Sequence, residues 1–171
     1  MPAPDPPLRV LYPGSFDPLH LGHVDVIEQA HELFGAVVVM VMHNHAKSGG
    51  MFSVDERIDL AIASLRHLDG VTVAASSGLA VQAAERSEVD FIVKGLRTSG
   101  DFEIEQQMAH NNERVTGIRT VYLPCSPALG YVSSRFVREI AQYGGEIDHL
   151  VPDVVAAALR ARFADGSDGS R

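Results

Sequence analysis

Five short apolar segments alternate with stretches of helical period along this chain, and that alternation constrains the fold more than any other feature. "LRVLY", "AVVVMVM", "VTVAA", "DFIVKG" and "RTVYLP" read as strands. Between them lie "GHVDVIEQAHELFG", "SVDERIDLAIASLRHL", "LAVQAAERS" and "DFEIEQQMAHNNERV", each with apolar residues at helical spacing. In the first, Val26, Ile27, Ala30, Leu33 and Phe34 share one face, and Gly35 is a natural stop. The second opens on Ser53 with Glu56 three residues on, a capping box. "SSRFVREIAQYG" and "PDVVAAALRARF" add two helices, with Pro152 suited to the first turn of the last.

Strands separated by helices of this length build right-handed βαβ units and a parallel sheet. The expected fold is therefore α/β: a Rossmann-like doubly wound five-stranded parallel sheet with a C-terminal helical extension. The 171 residues suit one domain, expected over 8–164. The proline-rich 1–7 and the small, polar 165–171 read as tails. A net charge of −8 disfavours nucleic acid and anionic membrane surfaces as partners. No apolar run is long enough to span a bilayer, and no leader-like pattern opens the sequence. The single cysteine, Cys125, excludes an internal disulfide and fits a cytoplasmic location.

In such sheets ligands bind beyond the carboxyl ends of the strands, so the segments after each strand carry the chemistry. The first is "PGSFDPLHLGH". Gly14 removes a Cβ where a backbone must approach a ligand, Ser15 adds a hydroxyl, and Asp17 and Pro18 favour a turn. His20 and His23 lie on one face at a helix start, with Gly22 keeping the space between them open. A helix N-terminus and two imidazoles make a phosphate site able to stabilise charge developing during transfer.

The only two lysines, Lys47 and Lys94, each follow a predicted strand, and Arg97 stands beside Lys94 across Gly95. Ser133 and Ser134 open a helix where hydroxyls cap and N–H groups face outward. Glu103 and Glu105 open another, where acids are favoured in any case. Neither "GxxxxGK[ST]" nor "GxGxxG" occurs, so the site is no P-loop and no dinucleotide fingerprint.

"YPGSFDPLHLGH" resembles the signature of the HxGH nucleotidyltransferases. "KGLRTSGDFEIEQQMAHNN" and "YVSSRFVREIAQYGG" narrow the resemblance to the bacterial phosphopantetheine adenylyltransferase family, from about Arg9 to the last helix. The resemblance implies transfer of the adenylyl group of ATP to 4′-phosphopantetheine, giving dephospho-coenzyme A and pyrophosphate, assisted by Mg²⁺. Transfer would be direct and in line, without a covalent intermediate. By matching positions, His23 stabilises the transition state and Lys47 assists it. Ser15 touches both substrates. Lys47, Leu79, Ala80 and Lys94 hold the phosphopantetheine. Phe16, His20, His23, Gly95, Leu96, Arg97, Glu105 and the stretch Leu129, Gly130, Tyr131, Val132, Ser133, Ser134 and Arg135 line the ATP site. The family also implies a homohexamer. His45, Ile104 and Arg135 depart from its common pattern, as does the Gly49–Gly50 pair.

Overall fold

In the computed structural model, residues 7–43 and 50–164 are described. Lys47, His45 and all of both expected tails except Pro7 lie outside the described residues. The elements run β1 (Leu8–Gly14), α1 (Leu21–Phe34), β2 (Gly35–His43), α2 (Val54–Leu65), β3 (Val71–Ser77), α3 (Ala80–Arg86), β4 (Phe91–Leu96), α4 (Ser99–Thr116), β5 (Arg119–Pro124), α5 (Ser134–Gln142) and α6 (Asp153–Ala164). All five strands are parallel, in the order β3-β2-β1-β4-β5. Each expected strand and helix is present, with ends shifted by at most three residues.

The apolar runs are buried on both faces because alternate residues serve different cores. Val10, Tyr12, Val37, Val39, Val41 and Val93 face one side, where Val26, Ile27 and Ala30 of α1 meet Leu65 of α2. Leu11, Val38, Met40 and Ile92 face the other, against Val81, Ala83 and Ala84 of α3. A third cluster joins Val137 and Ala141 of α5 to Val155, Ala156 and Leu159 of α6, closing over Phe52 and Val132. That cluster is the C-terminal extension.

The helix ends follow the sequence signals. Ser53 Oγ accepts from the Glu56 N–H, and Glu56 Oε2 accepts in return from the Ser53 N–H at 2.7 Å. α4 begins earlier than the apolar pattern suggests, because Thr98 and Asp101 form a second reciprocal cap. Gly35, at φ 87°, closes α1 and opens β2. One expectation fails there: Leu33 is 64% exposed. The inward position in that last turn belongs to Phe34, whose ring meets Phe91.

The sheet reverses its winding between β1 and β4. β1 pairs with β2 along its whole length, and β4 pairs with β5 likewise. β1 and β4 pair only at Val10–Phe91 and Leu11–Ile92. Beyond Leu11 and Ile92 the two strands part, and the crevice between Tyr12–Gly14 and Lys94–Leu96 is a topological switch point.

Candidate active site

A cavity of about 270 Å³ fills that crevice, lined by β1, the start of α1, β4, α4 and the start of α5. It brings together His20, His23, Lys94, Gly95, Arg97, Glu105, Ser133 and Ser134. Of the expected site residues these eight share one space. Tyr12, Pro13, Gly22 and Cys125 complete the wall. Tyr12 and Cys125 are easily missed in the sequence, since a strand tyrosine and a lone cysteine both read as core.

His20 is the N-cap of α1 and His23 lies one turn in. Their rings stack with centroids 3.6 Å apart and planes 20° apart. The His20 backbone N–H donates to His23 Nδ1 at 3.3 Å. An Nδ1 that accepts leaves the proton on Nε2, so His23 presents an N–H donor on its other side. Burial, then His20 and Arg97, hold the His23 pKa well below its usual value. His20 is pushed down to about 4, by burial first and by the Arg97 charge second. Both imidazoles are therefore neutral at physiological pH. His20 is 3% exposed, and its Nδ1 has no hydrogen-bond partner among the described residues. Such a buried polar atom favours any ligand that can satisfy it.

Gly22 makes room for the His20 ring rather than for an open space between the imidazoles, which stack: a Cβ there would lie 3.1 Å from His20 Cε1 and 3.4 Å from the Leu129 carbonyl. Gly14 also serves a side chain. A Cβ on Gly14 would meet the Phe16 ring at 2.8 Å. The glycine makes room for that ring rather than for a ligand. Phe16 itself turns inward, 1% exposed and at φ 46°, and meets the His23 ring edge-on at 5.0 Å between centroids. Its ring belongs to the core, and Phe16 is not part of the cavity wall. Ser15 is exposed on the same turn, outside the cavity wall.

Asp17 serves the turn, and more. Its carboxylate accepts from the N–H groups of Met51 and Phe52, each at 2.9 Å. Its carbonyl accepts from Arg138 of α5, and Ser134 Oγ donates to the Pro18 carbonyl at 2.9 Å. The "SFDP" turn is thus tied to α5 and to the approach to α2.

The cations are balanced locally. Lys94 Nζ lies 3.2 Å from both carboxylate oxygens of Glu105. Arg97 pairs with Asp101, and its Nη1 donates to the Val132 carbonyl at 3.3 Å. α4 therefore supplies an acid to each base of the cavity: Asp101 stands four residues from Arg97 in sequence, whereas Glu105 meets Lys94 only on folding.

Several expected residues stand apart from the cavity wall. Leu79 and Ala80, at the start of α3, follow β3 at the sheet edge, and Leu79 is 61% exposed. Val132 is buried and reaches the site through its carbonyl. Tyr131 lines a separate apolar groove with Phe136 and Ile140. Leu129 and Gly130 flank the site without lining it, Leu96 belongs to the strand end, and Arg135 is exposed on α5. Cys125 is held protonated, its pKa raised by burial first and then by Asp25.

The crevice holds a stacked, neutral histidine pair at a helix start, and the cytidylyltransferase-like family model matches residues 11–140, which makes the chain a nucleotidyltransferase. The fold is similar to that of a crystal structure of a candidate nicotinate-nucleotide adenylyltransferase from Vibrio parahaemolyticus. The two share a TM-score of 0.63 at 18% identity, covering 90% of this chain and 99% of that one. Closer in sequence is a phosphopantetheine adenylyltransferase from Synechococcus sp. (strain CC9311), 44% identical over 91% of this chain and 98% of the relative. Another from Gloeobacter violaceus is 46% identical over 90% and 96%. The chain belongs to the phosphopantetheine adenylyltransferase family.

Proposed function

We propose that the chain transfers the adenylyl group of ATP to 4′-phosphopantetheine, giving dephospho-coenzyme A and pyrophosphate. The observation that carries the chemistry is His23, a neutral imidazole whose Nδ1 is occupied and whose Nε2–H is free to donate at the switch-point crevice. The acceptor rests on the relatives, which carry that activity in their names over nearly the whole chain.

An acceptor phosphate oxygen attacks the α-phosphorus in line; the new P–O bond forms as the bond to the bridging oxygen breaks, and pyrophosphate leaves. Charge that builds on the α-phosphate oxygens meets the His23 donor, which needs no proton transfer to act. Lys94 and Arg97 neutralise phosphate, Lys94 exchanging part of its contact with Glu105. Lys47 is assigned to the acceptor phosphate from the family pattern. The helix starts at His20 and at Ser133 add N–H groups suited to anions.

Mg²⁺ would arrive on the triphosphate and neutralise charge on the leaving group. Among the described residues no group of three or more His, Cys, Asp or Glu could hold a metal ion, and Mg²⁺ commonly keeps phosphate and water ligands. Glu105 is the carboxylate of the cavity wall. We extend the reading to a cytoplasmic homohexamer on the family pattern. Among the described residues no helix is long and apolar enough to cross a membrane.

The test is pyrophosphate release from ATP and Mg²⁺ across a panel of acceptors: 4′-phosphopantetheine, nicotinamide mononucleotide, and sugar and alcohol phosphates. Release with 4′-phosphopantetheine well above the others is expected. Release with another acceptor and none with 4′-phosphopantetheine would overturn the assignment.

A further inference from the structure

We infer that Arg57 is a positioning residue for the reaction, acting through the Ser15–Phe16 peptide; the inference rests on the ATP site proposed above. Arg57 is only 9% exposed. It lies on the inward stripe of α2 with Ala61 and Leu65, where an apolar residue would continue the core. Its side-chain hydrogen bonds run to carbonyls rather than carboxylates. Nη1 donates to the Ser15 carbonyl at 2.9 Å and Nε to the Ser53 carbonyl at 3.3 Å. Burying a guanidinium on such terms is costly, so packing alone does not explain an arginine here.

The geometry of the peptide explains it. In a trans peptide the C=O and the following N–H point in opposite directions. With the Ser15 carbonyl drawn to α2, the Phe16 N–H is turned away from α2. Among the described residues that N–H has no acceptor. The conformation is not one Phe16 adopts by preference: φ is 46°, a region that a bulky residue seldom occupies. Two anchors hold it there, the Phe16 ring in the core and the Arg57 fork on the carbonyl before it. Arg57 thereby fixes the direction of a main-chain donor beside the histidine pair, for a nucleotide phosphate oxygen. Lysine would keep the charge but cannot span two carbonyls as a planar fork does.

The test has two arms. In the unaltered protein, ¹⁵N-labelled, titration with α,β-methylene-ATP should move the Phe16 amide resonance. In Arg57→Lys, with wild-type circular dichroism, the KM for ATP should rise about tenfold, the loss of one well-aimed hydrogen bond. An ATP KM equal to wild type in the folded variant overturns the inference, whatever its melting temperature, since a merely structural arginine would change only stability. A Phe16 amide that does not move on titration overturns it too, and decides the matter if the variant does not fold. Wild-type protein that releases no pyrophosphate with any acceptor would instead sink the functional reading, leaving the amide titration to report on the nucleotide contact alone.

Discussion

His20 and His23 stack at 3.6 Å, and the backbone N–H of the first donates to Nδ1 of the second. One hydrogen bond thus sets the tautomer of His23, and burial, with the Arg97 charge beside it, keeps both rings neutral. The same pair governs how the fold responds to acid.

Unfolded, each imidazole titrates near its ordinary value of about 6.5. Folded, His20 titrates at about 4 and His23 well below its usual value, both chiefly through burial. Between those values the unfolded chain binds protons that the folded chain does not. Stability is therefore complete above pH about 6.5 and declines as the pH falls toward 4. Urea midpoints measured from pH 7 to 4.5 should drop, and should drop less in His20→Asn. An identical slope in the variant would show that the pair is not the cause.

Gly95 is a packing constraint inside the site. A Cβ there would lie 2.8 Å from Val26 Cγ2, 3.4 Å from Cys125 Sγ and 3.5 Å from the Tyr12 hydroxyl. Gly95→Ala forces α1 away from β4 and should cost about 1–3 kcal/mol, as overpacking does. A thermal melt that matches wild type would contradict the close approach of α1 to this strand.

These two cases show how far the sequence reaches. The apolar runs and the helical stripes are local signals, so the strands and helices were legible. So was the histidine pair, because three-residue spacing at a helix start dictates a shared face. Gly14 and Gly95 read alike as glycines at strand ends, yet both are required by side chains: Phe16 folding back onto one, Val26 arriving from α1 at the other. The pairing of Lys94 with Glu105 joins two elements through folding, and no spacing foretells it. Arg57 left a faint signal, an arginine on the apolar stripe with Ala61 and Leu65. Read in the sequence, it looks like one more charge on a surface helix.

Asp17 couples the first turn to the segment entering α2, its two oxygens accepting from Met51 and Phe52. Asp17→Asn keeps the shape but turns one acceptor into a donor facing an N–H. The expected cost is about 1–3 kcal/mol, the usual price of an unmet buried donor. Differential scanning calorimetry checks it, and an unchanged melting temperature would mean that the carboxylate is dispensable.

The central claim is that adenylyl transfer occurs at the His20–His23 turn, with the His23 Nε2–H stabilising charge at the transition state. The most direct measurement is His23→Ala, comparing kcat with the Kd for ATP. Because such a donor acts mainly in the transition state, kcat should fall by about 10²–10³ while ATP affinity changes little. Equal losses in kcat and in ATP affinity, or turnover near wild type, would contradict the account.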